Sequence, residues 1–245
     1  MPHVRIFSFA AASLVGALFT LGADAASALT VNASGNATVQ SGGPRTGANG
    51  LRFFNVEGGG SGSFASFGVA DFVLAAQGAS TVNGLALALT ESNAAFTTPG
   101  GLNFFLVTDA TTSITAGSSP LAFNAASLPD GLGSQLGTRY LVGTGTFAST
   151  GKANSGQVDS YTLSLTGSAQ VLVNSVVTSG GVLRLVVAPV DATVAATFAG
   201  YANTQYAGPL LNLNVSAVPE ADTAAMLLAG LGCLALLKRR RPAAR

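Results

Sequence analysis

Residues 161–166 read Tyr161-Thr162-Leu163-Ser164-Leu165-Thr166, a large apolar side chain at every second position and a hydroxyl between. Successive side chains of a strand point to opposite faces, so this stretch reads as a half-buried strand. The same period recurs on either side of it. Val82–Leu89 sets Leu85, Leu87 and Leu89 on one face with small residues between them. Leu211, Leu213 and Val215 alternate with Asn212, Asn214 and Ser216, and Leu183, Leu185 and Val187 place Arg184 on the opposite face. Leu102, Phe104 and Leu106 repeat the pattern, with Phe105 and Val107 making the second face apolar as well. Further strands are expected at Leu51–Val56, Phe64–Phe72, Tyr140–Phe147, Gln170–Val177 and Val194–Phe198.

Between these runs lie turn signals: Gly58-Gly59-Gly60-Ser61-Gly62, Pro99-Gly100-Gly101, Pro129-Asp130-Gly131 and Ser179-Gly180-Gly181. Glycine reaches positive φ without steric cost and proline presets φ, so each is a place for the backbone to reverse. About ten short strands separated by such turns predict an all-β fold, a single β-sandwich of jelly-roll type over residues 26–217. A β-solenoid needs a regular short repeat, and no fixed period is visible. Gly, Pro or β-branched clusters interrupt every helical candidate in this region, so no helix longer than a turn or two is expected there. Residues 109–139, rich in Thr, Ser, Ala and Gly, are expected to form a long loop or an extra hairpin.

The charge count excludes several chemistries. The sequence holds 11 Lys/Arg, 10 Asp/Glu, one His and one Cys. His3 and Cys233 lie at the two ends, so the stretch between residues 26 and 217 offers no Ser-His-Asp triad, Cys nucleophile, disulfide or His/Cys metal site. Its cations are Arg45, Arg52, Arg139, Lys152 and Arg184, against Glu57, Asp71, Glu91, Asp109, Asp130, Asp159 and Asp191. There is no basic patch of the kind nucleic acid requires.

The ends read differently. Arg5 precedes the mainly apolar, uncharged run Ile6–Gly22, and small residues follow at Ala23-Asp24-Ala25 and Ala26-Ser27-Ala28. This is the layout of a secretory signal peptide, residues 1–25, cleaved after Ala25 or alternatively after Ala28. At the other end Val218-Pro219-Glu220 leads into an uncharged run at 223–237, closed by Lys238-Arg239-Arg240-Arg241. An apolar run ending in cations is a stop-transfer pattern. Fifteen residues rise only about 22 Å as a helix, so the basic side chains would snorkel to complete a span.

The order Pro-Glu motif, short apolar helix, arginine cluster resembles the PEP-CTERM sorting tail, over residues 218–245. Pro219 and Glu220 match its motif, whereas Ala221 stands where that family usually has a second proline. The resemblance implies export by the Sec machinery of a Gram-negative bacterium and transient tethering in the inner membrane. It also implies processing by an exosortase-type enzyme and association with exopolysaccharide or biofilm at the cell surface. More faintly, Val82-x-x-Leu85-x-Leu87-x-Leu89, Leu102–Asp109, Leu183-Arg184-Leu185, Phe198-Ala199-Gly200 and Pro209-Leu210 resemble jelly-roll, carbohydrate-binding-like modules that occur ahead of such tails.

Catalytic motifs are weak throughout. Gly143-Thr144-Gly145 mimics a dinucleotide fingerprint, but a turn follows where a helix should begin. Ser149 and Lys152 have the spacing of an acylating pair, which works on a helix face that the flanking residues disfavour. Paired carboxylates remain an option for glycoside chemistry, with Glu57 and Glu91 as the candidates. Asp109, Asp130, Asp159 and Asp191 fall at expected turns but lack the Asp-x-Asp spacing of a calcium loop, and no cofactor is expected. For glycan contact the best pair is Tyr201 and Tyr206, which flank Asn203 and Gln205 in a loop. The expectation is a non-catalytic, exported surface or matrix protein. The alternatives are a glycan-binding module and, third, a carboxylate-dependent enzyme.

Overall fold

The alternating segments fold as strands in a computed structural model that describes residues 26–92, 96–127, 129–148, 155–218, 228–232 and 234. In sequence order these form β1 (Ser27–Asn32), β2 (Gly35–Gln40), β3 (Gly43–Pro44), the short helix α1 (Gly47–Arg52), β4 (Phe53–Glu57), β5 (Phe67–Leu74), β6 (Ser80–Thr90) and β7 (Gly100–Val107). They continue with β8 (Arg139–Phe147), β9 (Val158–Leu163), α2 (Gly167–Ser179), β10 (Gly181–Pro189), β11 (Ala195–Ala199) and β12 (Leu210–Ala217).

A four-stranded sheet has the order β1-β12-β6-β9, and a six-stranded sheet the order β3-β2-β5-β10-β7-β8. A two-stranded sheet pairs β11 with β4, and every pairing is antiparallel. The polypeptide switches between the two large sheets at β1 to β2, β5 to β6, β6 to β7, β8 to β9 and β9 to β10, and again on its way from β10 to β12. The two large sheets face one another across one core. Phe72, Leu102, Phe104, Leu106, Leu183 and Leu185 enter it from the six-stranded sheet, and Leu85, Leu87, Leu89, Tyr161, Leu163 and Leu213 from the four-stranded one. The all-β sandwich expected from the period-2 pattern is thus the observed architecture. Phe54 and Phe198 of the small sheet join the same core, and Phe198 meets Phe147 edge-on at 5.4 Å between ring centroids.

Gly143 and Gly145 sit in the strand β8, not at the head of a helix. A Cβ on Gly145 would come within 2.5 Å of the Tyr161 ring. The glycine therefore admits the tyrosine, which packs on Phe104 at 4.6 Å.

The expectation for 170–177 is overturned. These residues belong to the 13-residue helix α2, whose buried positions are Ala169, Val173 and Val177. With Leu172 and Val176 also packed on the core, the apolar spacing is the i, i+3, i+4 stripe of a helix. Three valines in that stripe mimic a strand by composition. Position explains why a helix forms here. β9 ends at Leu163, opposite Leu85, so the first part of β6 has no strand on that side. Asn174 Oδ1 accepts the Val82 N–H at 2.9 Å, and Gln170 Nε2 donates to the Val82 carbonyl at 2.9 Å. Two amides one helical turn apart stand in for the missing ladder.

Residues Ala26–Val218 make up one compact unit; the two termini, Met1–Ala25 and Pro219–Arg245, are assigned to another. The expected signal peptide, Pro219, Glu220 and Lys238–Arg241 lie outside the described residues. Of the expected span 223–237, residues 228–232 and 234 are described, and they are helical. Among the described residues no helix is long and apolar enough to cross a membrane.

Candidate binding cleft

The loop 200–209 joins β11 to β12, and side-chain amides hold its shape. Asn36, 3% exposed, accepts the Tyr201 N–H on its Oδ1 at 2.7 Å and donates through Nδ2 to the Phe53 carbonyl at 3.0 Å. Asn203 Oδ1 accepts the backbone N–H groups of Gln205 and Tyr206, both at 2.9 Å, and its Nδ2 donates to the Arg52 carbonyl at 3.0 Å. Gly200 N–H also donates to the Arg52 carbonyl, at 2.8 Å. An Asx turn and a cross-link to the end of α1 thus fix the loop from both sides.

Between this loop, α1 and the segments at Ser92 and Ser155 lies a cleft of about 530 Å³. It is lined by Arg52, Phe53, Ser92, Ser155, Asn203, Thr204, Gln205 and Tyr206. Tyr206 rests against Gly156, where an added Cβ would lie 3.0 Å from the ring. Gln205 Nε2 donates to the Tyr206 hydroxyl at 3.0 Å, leaving that hydroxyl's proton and the Gln205 carbonyl oxygen available to a ligand. Arg52 is exposed, and among the described residues its guanidinium forms no ion pair with a carboxylate. The other described arginines are engaged: Arg184 with Asp71, Arg139 with Asp130 at 3.6 Å, and Arg45 close enough to Glu57 to act on its charge.

Of the two tyrosines singled out in the sequence, Tyr206 lines the cleft, while Tyr201 is 41% exposed and lies outside the lining. Asn203 is engaged at both ends of its amide, so it positions the loop. Sequence reading missed Arg52, since nothing in its spacing links it to residues 203–206. Val218, where the expected sorting motif begins, is exposed at the end of β12, and its N–H donates to the Ala79 carbonyl at 2.9 Å.

The candidate carboxylates Glu57 and Glu91 are not brought together. Glu57 pairs opposite Ala195 and Glu91 opposite Phe198. Those positions are an odd number of residues apart on β11, so the two side chains point to opposite faces. Burial raises the Glu57 carboxyl above the ordinary glutamate range, against the opposing effects of Asn55, Arg45 and Ser61. Glu91, 1% exposed, instead shares the inward face with Asp159, whose partner across the strands is Leu89. Burial and then Asp159 push the Tyr161 hydroxyl well above the usual tyrosine range.

The four aspartates considered for calcium are all bonded within the protein. Asp109 accepts from Thr111 and Thr112, Asp130 from the Leu132 N–H, Asp159 from Gln157, and Asp191 from the Gly101 N–H at 2.6 Å. Among the described residues no three acids, His or Cys group to hold a metal. No protein-family model matches the sequence, and no curated protein matches it.

Proposed function

We propose that this protein is an exported, non-catalytic surface or matrix component. In this reading it carries a signal peptide at 1–25, a jelly-roll module, and a C-terminal sorting tail that tethers it in the inner membrane until an exosortase-type enzyme acts on it. The observation that carries the proposal is the order of Pro219-Glu220, the uncharged run 223–237 and Lys238–Arg241. The strand order supports the jelly-roll assignment: successive strands cross between two sheets as a rolled-up hairpin does. The low charge content, 9% of residues, suits close packing within a hydrated polysaccharide matrix better than dispersal in solution.

The test is the intact mass of the exported protein. Processing should leave an N-terminus at Ala26 or Leu29 and remove the residues that follow the Pro219-Glu220 motif, and Glu220→Ala should retain the tail. An exported product that keeps Met1 or both ends overturns the proposal, as does normal tail processing of Glu220→Ala.

The cleft favours a second reading, glycan binding. A tyrosine held at the wall of a polar concavity, with amide and hydroxyl groups around it, offers stacking and directional hydrogen bonds together. A glycan array decides between the readings: saturable binding lost in Tyr206→Ala favours the module, and its absence favours a purely structural role.

A further inference from the structure

We propose that the cleft between α1 and the 200–209 loop takes an anionic saccharide, one bearing a carboxylate or sulfate, with Arg52 as the group that reads the charge. The inference rests on the glycan-binding reading and adds the ligand's class.

Charge comes first. No carboxylate is among the described lining residues, and among the described residues Arg52 forms no ion pair with a carboxylate. A guanidinium beside a concave polar wall presents a planar fork of donors that matches a carboxylate or sulfate edge. Position comes second. The Arg52 carbonyl is held by Asn203 Nδ2 and by Gly200 N–H, so the backbone bearing the cation is tied to the loop bearing Tyr206. The backbone that carries the charge reader is therefore fixed relative to the loop that carries the ring, which limits the ordering cost of binding. Donor chemistry comes third. Ser92, Ser155 and Thr204 supply hydroxyls, and the Tyr206 O–H and Gln205 carbonyl remain to pair with sugar hydroxyls. A cleft of about 530 Å³ falls within the range for small-molecule sites, about 300–1,000 Å³.

The test is isothermal titration of the purified full-length protein with three trisaccharides: an oligouronate, its carboxyl-reduced neutral counterpart and a sulfated neutral sugar. The oligouronate or the sulfated sugar, or both, should bind about tenfold or more tighter than the neutral sugar, with an advantage that shrinks as salt rises. Arg52→Gln should erase that advantage, bringing charged and neutral sugars to similar affinity, and Arg52→Lys should keep part of it. Tyr206→Ala should weaken all three. The two charged arms distinguish carboxylate from sulfate as the anion read. Equal binding of charged and neutral sugars, indifferent to Arg52→Gln, overturns the anionic assignment and leaves the glycan reading standing. No binding of any sugar overturns both. Arg52 is exposed, so its variants should fold normally, which an unchanged urea transition checks.

Discussion

On its inner face the six-stranded sheet meets another sheet; on its outer face it meets a loop. Inside, Phe104, Leu106, Leu183 and Leu185 pack against strands whose backbone groups satisfy one another in ladders. Outside, Val69, Phe105, Val107 and Val186 are covered by Leu121, Phe123, Leu132 and Leu136 from the excursion between β7 and β8. Among its described residues that excursion has little regular structure beyond a 3-10 turn at Ala125–Ser127. Its backbone is satisfied partly by scattered backbone pairs, such as the Asn124 N–H to the Gly131 carbonyl at 2.7 Å, and partly by side chains. Asp109 takes the N–H groups of Thr111 and Thr112, Asp130 that of Leu132, and Asn124 that of Ala126. Arg184, 2% exposed on the outer face, donates to the Asp109 carbonyl at 3.2 Å and the Thr112 carbonyl at 2.8 Å while pairing both oxygens of Asp71. A ladder needs only a backbone and an alternating pattern. A loop cover leans in addition on specific polar groups at some of its turns, so it is the face more sensitive to single residues.

The largest effect should therefore come from Arg184→Ala. It strips two carbonyls of their donor and leaves the Asp71 carboxylate without its cation, a loss of about 3–5 kcal/mol for a buried pair broken on one side. Urea unfolding would measure it. Replacing both partners with apolar residues, Asp71→Leu with Arg184→Met, should recover part of that loss. A single-mutant cost under about 1 kcal/mol would place the pair among ordinary surface ion pairs and remove the basis of the contrast.

Phe123→Ala tests whether the cover opens separately. The ring stacks on Phe67 at 6.5 Å, and the Phe123 N–H donates to the Gln40 carbonyl at 2.9 Å. Truncating a buried phenylalanine costs about 3–5 kcal/mol where the surroundings cannot relax. A loop can relax, so the expected cost here is about 3 kcal/mol or less, read by hydrogen exchange as faster opening of the excursion with β6 and β12 still protected. Equal acceleration in β6 and β12 would show that both faces unfold as one.

The same division governs how much is readable from residue order alone. The inner face is legible because Leu85-Leu87-Leu89, Tyr161-Leu163 and Leu211-Leu213 each repeat with the period of a strand, and every one lies in the core. The excursion's existence is legible from its composition, but its role as a lid on a second core is not. That role depends on Leu121, Phe123, Leu132 and Leu136, spaced without a period because no regular element carries them. α2 reads wrongly because Val173, Val176 and Val177 speak for a strand one by one and for a helix only as a set. β1 and β2 escape detection because their sequences, Ser-Ala-Leu-Thr-Val-Asn and Gly-Asn-Ala-Thr-Val-Gln, carry few large side chains. For the cleft, the loop with Tyr206 is visible locally. Arg52 is not, because only the pairing of β11 with β4 brings α1 beside that loop.

Asn174→Ala asks whether side chains can replace a ladder on the inner sheet as well. It removes the acceptor of the Val82 N–H and a partner of Gln170. A buried donor left unsatisfied costs about 1–3 kcal/mol, and the lower end is expected because water can reach this sheet edge. A chemical melt unchanged by the substitution would mean that the helix covers the edge by packing alone.

The smallest effect lies in pH, and there the regions carrying Asp109 and Glu57 should pull in opposite directions. Asp109, at the start of the outer cover, is held well below the usual aspartate range by the hydroxyls of Thr112 and then Thr111, with their N–H groups adding to the effect. A carboxyl depressed in the folded state contributes stability above its unfolded pKa of about 3.9, and that contribution is lost as pH falls below it. Glu57, the last residue of β4 in the two-stranded sheet, is shifted the other way by burial. Its folded form holds a proton more tightly, so its contribution is present below the unfolded value of about 4.3 and is lost as pH rises through the raised one. Acidification from neutral should first relieve Glu57 and only then loosen Asp109. Asp109→Asn should flatten the acid limb of the stability curve below about pH 4, and Glu57→Gln should flatten the limb just above it. The Asp109 carboxyl is partly open to water, so its share is modest. If Asp109→Asn left the acid limb unchanged, the turn at the head of the cover would be held by its neighbours, chiefly Arg184, and not by its own carboxylate.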